Sequence, residues 1–388
     1  MSLTIELQPQ VLRWVRERAG LTREDLADKL DTTPEKVSAW EQDGKITFKR
    51  AHDLAQKVRA PFGFLYLPEP FAEGSPIPDL RTVASARLRK PSVDLLETIY
   101  EAQQRQEWFR EYLIDQGEEP LDFVGSISIN SNHEVAANRI RERIGFHSEI
   151  RANSRTWEEA LALQIEQIEN SGVLVMRNGM VGNNTRRVLS VDEFRGFALA
   201  DEYAPLIFLN GADSKAAQMF TLTHELVHIW LGESGISNLE ETYAPHLGVE
   251  RFCNSVAAKV LIPDQEINDL WPRARHQSSP WEWLGTRFKV SSLVVLRRLR
   301  DARLISETNF HAEYERQEER LTRSALRQSS GGDYYAAHRY RVGTRLARAV
   351  IQSTAEGRTS YREALSLLGI KKIDTFQKFA KRQFGFTI

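Results

Sequence analysis

The amino-acid sequence predicts a mainly α-helical, multidomain protein with a small β-sheet in its central domain. Its 388 residues exceed the usual size of one domain. Four short helical segments with capping residues occupy the first sixty residues, and three short strand-like runs precede a long central helix. We therefore expect an all-α N-terminal domain, a central α+β domain and a small helical C-terminal region.

The composition is typical of a water-soluble protein, with 41% hydrophobic and 27% charged residues. No run of about eighteen apolar residues marks a membrane span, and the N-terminus lacks the pattern of a secretory signal. The single cysteine, Cys253, excludes an intramolecular disulfide and a cysteine-rich zinc site. These features predict a cytoplasmic protein with no membrane association.

Charge is distributed unevenly along the chain. The segment after Arg320 contains thirteen Lys and Arg against four Asp and Glu, a net charge of +9. Since the whole chain carries −1, residues 1–320 carry −10. A basic tail can bind nucleic acid or an acidic partner. It can equally dock on the acidic remainder of its own chain, and the sequence leaves both interpretations open.

The first helices are delimited by recognisable start and stop residues. Thr22 followed by Asp25 has the pattern of a capping box. Thr33 can cap the next helix, which Gly44 ends. Two short helices joined by a tight turn, and framed by two others, are the arrangement of a helix-turn-helix domain. We place this domain at residues 1–66.

The charge of this domain leaves open whether it binds DNA or protein. It contains eleven basic and ten acidic residues, and a net charge of +1 is small for a phosphate-binding surface. Its recognition helix, predicted at residues 34–42, has no arginine to contact guanine. Weak operator binding, as a monomer or a homodimer, and docking of a related repressor are both hypotheses. Analogy with the usual role of the fold favours DNA. The candidate contact residues are Thr33, Glu35, Lys36, Ser38, Lys45 and Lys49.

Three further regions follow the N-terminal domain. The proline-rich segment at residues 67–90 predicts a linker or an extended strap. Residues 91–310 form the predicted central domain. The basic, mostly helical C-terminal region covers residues 311–388, in which no cluster of residues indicates a further enzymatic activity.

The central domain combines helices with strands. Residues 92–116 and 132–167 have helical character with many charged outer positions. The runs GVLVM, GFALA and PLIFLN, which begin at Gly172, Gly196 and Pro205, are strand-like and have turn residues beside them. A small sheet is therefore predicted immediately before the central helix.

The segment TLTHELVHIW, in the middle of the chain, has the spacing H-E-x-x-H. Residues 214–231 contain no proline or glycine, and Asp213 can cap their start, so they predict one helix. His224 and His228 then lie one turn apart on the same face, where two imidazoles can bind one Zn²⁺. Glu225, beside the first histidine, is placed to act as a general base towards water. The competing interpretation is that these histidines are ordinary core or surface residues of a helix.

A catalytic zinc site needs a third protein ligand. Downstream, VERFCNSVAAKVLIP predicts a helix that ends before Pro263. Glu250 and Asn254 lie on one face of it, and Glu250 can complete a His-His-Glu site. Cys253 lies one position from this face and is predicted to be a small core residue. Three residues of the preceding loop compete with Glu250 as ligands: Glu240, Glu241 and His246.

The segments FTLTHELVHIWLG and ERFCNSVAAKVLIP resemble the motifs of the ImmA/IrrE family of metallo-endopeptidases. The N-terminal domain is similar to the Xre-type helix-turn-helix that many such proteins carry, and PDLRTV resembles the strap between the two domains. GGDYYAAHRYRVG and YREALSLLGIKKIDTF resemble the C-terminal segment of longer members. Departures from the family pattern, which we interpret as packing positions, fall at Phe252, Cys253, Lys259 and Ile262.

The resemblance implies a zincin-like (gluzincin) peptidase domain in which His224, His228 and Glu250 bind Zn²⁺ and Glu225 is the general base. It also implies a regulatory role, because family members cleave or inactivate helix-turn-helix repressors and release stress-response genes or mobile elements. We therefore expect a zinc-dependent endopeptidase that acts on a transcriptional repressor or antitoxin. The alternative is a non-enzymatic DNA-binding regulator or antitoxin with a structural or vestigial metal site. The candidates for stabilising the oxyanion are Tyr243 and His246.

Overall fold

The protein, described here as a computed structural model, divides into two compact units. The first contains the N-terminal residues to Pro76 and the start of the following helix to Ile99. The second contains the chain from Tyr100 onward, together with Ile77 and Pro78. No helix in the described part of the chain is long and apolar enough to span a membrane. The described residues are 3–71, 76–78, 91–146, 153–237, 248–325 and 333–387.

The first unit is a set of four short helices around a common apolar core. The predicted capping box of Thr22 and Asp25 is present at the start of the second helix. Thr33 precedes the third helix, but its side chain does not make the predicted capping hydrogen bond. The helices are α1 (Pro9–Arg18), α2 (Arg23–Lys29), α3 (Pro34–Asp43) and α4 (Phe48–Lys57), followed by a 3₁₀ helix at Phe62–Tyr66.

A two-stranded antiparallel sheet, which the sequence pattern did not predict, joins the N-terminal end of this unit to the segment between α3 and α4. It pairs β1 (Thr4–Glu6) with β2 (Lys45–Thr47). Gly44 ends α3 with a φ of 73°, and a Cβ atom there would lie 2.0 Å from the Leu7 carbonyl oxygen. The close approach of the two segments therefore requires glycine at this position.

A buried ion pair connects three elements of the first unit. Glu41 on α3 is 3% exposed and accepts hydrogen bonds from Arg16 on α1, at 2.6 Å, and from Arg23 on α2, at 2.8 Å. Burial alone would raise the pKa of Glu41, but the two guanidinium groups lower it below its ordinary value. The charge of Glu41 thus belongs to the interior of the domain rather than to its surface.

The second unit begins with helices that surround its sheet. α5 (Val93–Asp115) spans the junction between the units along the chain. The helix predicted over residues 132–167 is interrupted: α6 (His133–Ile144) ends at Gly145, which has a φ of 61°. A capping box formed by Thr156 and Glu159 then begins α7 (Trp157–Asn170). The left-handed glycine and the new cap explain why one helical pattern gives two helices.

The sheet of the second unit has the strand order β3-β5-β4-β6. β3 is parallel to β5, whereas β4 is antiparallel to both of its neighbours. The three predicted strands are present, and the additional edge strand is only three residues long. On its outer edge, the Ile236 N–H donates a 3.0 Å hydrogen bond to the Pro78 carbonyl. The strands are β3 (Leu174–Asn178), β4 (Gly196–Leu199), β5 (Leu206–Asn210) and β6 (Gly235–Ser237).

The long central helix α8 (Lys215–Leu231) packs on the sheet and against α9 (Gly248–Leu261). The C-terminal helices contribute many buried apolar residues, and α14 packs against β3. These observations give the mainly α, multidomain fold that the sequence predicted. The helices after α9 are α10 (Asp264–Ala274), α11 (Pro280–Phe288), α12 (Ser292–Asp301), α13 (Glu307–Ala325), α14 (Tyr334–Val342), α15 (Thr344–Ala355), α16 (Tyr361–Leu367) and α17 (Ile373–Phe384).

Candidate metal centre

The candidate site is built on α8, which is buried continuously from Gln218 to Trp230. Its N-cap is Ser214, whose hydroxyl accepts the Ala217 N–H, and not Asp213 as predicted. Asp213 instead accepts hydrogen bonds from Arg195 and from the backbone N–H of Ser214. Because this stretch is buried on every side of the helix, its polar side chains are enclosed within the protein as well.

The two histidines of the H-E-x-x-H segment lie one turn apart and point to the same place. The Nε2 atoms of His224 and His228 are 3.1 Å apart, and both side chains are fully buried. Glu250 on α9 places Oε2 3.1 Å from His224 Nε2 and Oε1 3.2 Å from His228 Nε2. The structure thus brings together the three side chains proposed as metal ligands.

Small residues on α9 allow this approach. Ala257 and Ala258 are buried on α9, which packs against α8 and α6, and side chains this small let neighbouring helices approach closely. Cys253 is buried in the core, as predicted, and lies outside the group of converging ligand atoms. The competing ligands of the preceding loop, Glu240, Glu241 and His246, lie outside the described residues.

The positions at which the sequence departs from the family pattern are all accounted for. Phe252, Cys253 and Ile262 are buried and belong to the apolar core. Lys259 is different, because its ammonium group lies 3.2 Å from Glu134 on α6 and 2.5 Å from Asp264 on α10. This lysine therefore makes an ion-pair link between neighbouring helices and is not a simple packing position.

The Glu250 carboxylate and His224 stabilise each other's charged forms, whereas His228 is kept neutral. For Glu250, burial raises the pKa, but the two imidazoles outweigh burial and hold it well below its usual range. For His224, burial lowers the pKa, and the Glu250 carboxylate outweighs this effect and raises it. For His228, burial prevails and the pKa is lowered. A carboxylate held between two imidazoles is stable here even though it is almost completely buried.

Glu225 is fully buried, and its Oε1 atom lies beside Gly196 on β4, 3.2 Å from where a Cβ atom would be. Burial raises the pKa of Glu225 to about 8, against the opposing effect of His224 and with a smaller contribution from Glu250. Ser237 on β6 is close enough to lower this pKa. A cation bound by the neighbouring ligands would likewise lower the pKa of Glu225, because a nearby positive charge favours the ionised carboxylate.

Two further residues position the site and were not assigned a role from the sequence. Gln164 on α7 donates hydrogen bonds of 2.7 Å to the Thr223 hydroxyl and 3.2 Å to the Met219 carbonyl, which fixes α8 one residue before the first histidine. Asn254 lies one turn after Glu250 and raises the pKa of His224. The spacing of Glu250 and Asn254 on one helical face was the sequence signal for this second contact.

These residues fit a zinc ion. The ligand atoms of His224, His228 and Glu250 all lie within 4.8 Å of one another. Two imidazole nitrogens and one carboxylate oxygen are a donor set of catalytic zinc sites, which keep a further coordination position open. The Nε2 atoms of the two histidines lie about 3 Å from each other, and the Glu250 carboxylate is equally close. A cation shared by these buried polar groups would satisfy all of them. The oxyanion candidates Tyr243 and His246 lie outside the described residues.

The candidate DNA-contacting residues lie at the N-terminal half of α3 and around β2. Ser38 is partly buried and accepts a hydrogen bond from Gln42. The other candidates are exposed, and Lys45 lies on strand β2. The exposed candidates are Thr33, Glu35, Lys36, Lys45 and Lys49.

Comparison with known families identifies three segments of the chain. Residues 12–65 match a helix-turn-helix family. Residues 168–300 match the peptidase M78 family, described as an IrrE N-terminal-like domain. Residues 342–382 match a domain of unknown function, DUF8813. No curated protein matches the chain.

The fold, the converging ligands and these matches define a metallopeptidase domain preceded by a helix-turn-helix domain of the type that binds DNA in transcription regulators. The chain has the domain architecture of the ImmA/IrrE proteins with an Xre-type helix-turn-helix, as its sequence motifs predicted.

Proposed function

We propose that this protein is a zinc-dependent regulatory endopeptidase that cleaves a transcriptional repressor or an antitoxin-like protein. The convergence of His224, His228 and Glu250 beside the buried Glu225 is the observation that carries the proposal. When bound, Zn²⁺ supplies a Lewis acid that polarises a carbonyl and lowers the pKa of water. The residues of this chain supply its ligands and a proton acceptor.

Each residue has a distinct task in this proposal. His224, His228 and Glu250 hold the ion from two helices whose contact is fixed by packing. Glu225 takes a proton from water on its carboxylate and passes that proton to the leaving amine of the cleaved peptide bond.

The choice of substrate rests on the attached N-terminal domain. A helix-turn-helix that binds an operator, or that docks on a related helix-turn-helix, brings the peptidase to a repressor. Cleavage of that repressor would release the genes it controls, which are stress-response genes or mobile elements in the proteins that this sequence resembles. We infer that the substrate is a specific regulator and not proteins in general.

The first experiment is the Glu225→Gln substitution in the full chain. The variant should keep about one zinc per chain, because Glu225 is not among the proposed ligands. Its cleavage of co-expressed helix-turn-helix repressors should fall by roughly 10²- to 10⁴-fold, the usual contribution of a general base. Zinc is measured by elemental analysis and cleavage by mass spectrometry of the repressor fragments.

Matched variants separate the roles of the residues. His224→Ala and Glu250→Gln should lose zinc as well as cleavage, whereas Glu166→Gln makes the same chemical change at an exposed position on α7 and should change neither. A Glu225→Gln protein that cleaves at the wild-type rate would refute the proposed mechanism. A wild-type protein that takes up no zinc when zinc is supplied would favour the alternative, a non-enzymatic DNA-binding regulator or antitoxin.

A further inference from the structure

The C-terminal part of the second unit contains a small polar cavity that is not lined by any residue of the metal centre. Its volume is about 170 Å³, below the roughly 300–1,000 Å³ of pockets for drug-sized ligands. Its walls come from α5, from the turn after β3, from α14 and from the end of α16. The last of these walls lies in the segment that matches a domain of unknown function.

Two arginines and one carboxylate, Glu101, line the cavity. The Arg105 side chain is 11% exposed; its Nε donates to the Leu367 carbonyl at 2.8 Å, and its Nη2 lies 3.6 Å from Glu101. Burial lowers the pKa of Arg105 despite the charge of Glu101. Arg341 adds a second positive charge, and its Nη1 donates to the Asn183 side chain at 3.2 Å. The cavity therefore has an excess of positive charge.

His338 lines the same cavity and is completely buried. Neither of its ring nitrogens makes a hydrogen bond of acceptable geometry within the described residues, although the Leu368 backbone is close enough to affect its pKa. Burial, with help from Arg341 and Arg105, lowers the pKa of His338 to about 4, so the ring is neutral near pH 7. A neutral imidazole offers one donor and one acceptor, and buried groups of this kind are normally paired.

The orientation of these groups is fixed by contacts around the cavity. The His338 ring stacks on Tyr334 and meets the edge of Phe379, with ring centroids 5.5 and 5.1 Å apart. Asn183 donates to the Gly369 carbonyl at 2.7 Å while its oxygen accepts from Arg341. The walls are thus tied to one another before any ligand arrives, which reduces the entropic cost of binding.

We propose that this cavity binds a small ligand through a compact oxyanion group, a carboxylate or a phosphate, contacted by Arg105 and Arg341. Guanidinium groups form strong charge-assisted hydrogen bonds with both kinds of oxyanion. His338 contributes a donor or an acceptor to the rest of the ligand. This proposal does not depend on whether the metal centre is an active peptidase, because the cavity is not lined by any residue of that centre.

The test is isothermal titration of the full chain with inorganic phosphate and, separately, with succinate at constant ionic strength. Wild-type protein should bind one of these anions saturably, and the anion that binds identifies the oxyanion class. Arg341→Gln should weaken this binding by roughly 10- to 100-fold, as expected for losing a charge-assisted hydrogen bond. Arg341 is only partly buried, so this variant should fold even where Arg105→Gln does not.

Lys378→Gln is the control, since it removes the same charge from an exposed position on α17 outside the cavity and should bind like wild type. Phosphate bound at the metal centre would be unaffected by Arg341→Gln, so only a loss specific to this variant supports the cavity. Equal affinities in wild type and Arg341→Gln, or no saturable binding of either anion, would overturn the proposal.

Discussion

At position 196, a side chain would leave no room between β4 and α8. A Cβ atom there would lie 2.7 Å from the Thr221 methyl, 2.9 Å from the Phe208 carbonyl oxygen and 3.2 Å from Glu225 Oε1. Gly196 therefore allows the helix that carries the H-E-x-x-H segment to lie directly on the sheet. The carboxylate proposed as general base is held in the space that this glycine leaves free.

We expect Gly196→Ala to destabilise the second unit by about 1–3 kcal/mol, because the close contacts force the helix or the sheet to move. The movement should also reduce cleavage, since it displaces Glu225. Urea unfolding followed by tryptophan fluorescence measures the first effect, and the repressor-cleavage assay measures the second.

Two variants test the steric explanation of this effect. Gly248→Ala is the matched control, because a Cβ atom at that position meets nothing within 4 Å and the unfolding midpoint should stay near the wild-type value. Adding Thr221→Ser to Gly196→Ala removes the nearest methyl and should restore part of the stability, while the Phe208 carbonyl contact persists. A Gly196→Ala protein as stable as wild type would show that the sheet and helix adjust freely.

Among the elements of the N-terminal unit, α1, α2 and α3 are joined through the buried carboxylate of Glu41. Arg16 is itself 8% exposed, so two opposite charges are held away from water. Removing one member of such a pair leaves the other charge unpaired and typically costs about 3–5 kcal/mol. The contacts of Glu41 therefore stabilise the interior of the helix-turn-helix domain and not its exposed surface.

Glu41→Gln should therefore lower the stability of this unit by roughly 3–5 kcal/mol near pH 7. Because the folded-state pKa of Glu41 lies below its ordinary value of 4.5, the contribution of the pair is complete above that pH. It is lost as the pH falls through the folded-state pKa, so wild type and variant should converge in acid. Hydrogen exchange of α1 and α3 peptides in increasing urea, at about pH 7 and about pH 3.5, measures both stabilities.

Glu17→Gln provides the comparison for this experiment. Glu17 also contacts Arg16, at 3.5 Å, but its side chain is 59% exposed. An exposed pair contributes at most about 1 kcal/mol, so this substitution should have little effect at either pH. If the two variants lose the same stability, burial is not the reason for the strength of the Glu41 contact.

For the whole molecule, the central question is whether the helix-turn-helix brings the peptidase to DNA. If it binds DNA through the exposed lysines around β2, the affinity should fall as salt increases. Lys45→Ala with Lys49→Ala should make the slope of log affinity against log salt less steep by about 2, since each phosphate contact contributes nearly one unit. Fluorescence anisotropy of the full chain on duplex DNA over a range of salt concentrations measures this slope.

Lys57→Ala is the control, because this exposed lysine ends α4 away from the candidate residues and should leave the slope unchanged. An absence of DNA binding at low salt, together with a stable complex with a helix-turn-helix repressor, would establish the docking hypothesis instead. The role of the basic C-terminal region is a separate question. Part of it contacts the body of its own unit, where the Arg345 N–H donates to Glu169 on α7 at 3.1 Å.

Much of this organisation follows from local sequence patterns. Helix caps, left-handed glycines and apolar strands depend on residues within a few positions of one another, so the capping box at Thr22 and the strand beginning near Pro205 were predictable. The placement of His224 and His228 on one face follows from helical geometry alone. These patterns were sufficient for the fold class and the helix-turn-helix, and they named all three proposed zinc ligands, although Glu250 had competitors in the preceding loop.

Tertiary packing decided the features that depend on residues far apart in the sequence. Only the approach of α9 to α8 brings Glu250 to the two histidines, and only the contact of β4 with α8 reveals why position 196 is glycine. The burial of Glu41 and the polar cavity around Arg105 arise in the same way, from segments joined by the folded core. Charge and periodicity predict which residues can face inward, but the partner of each buried polar group is determined by which elements pack together.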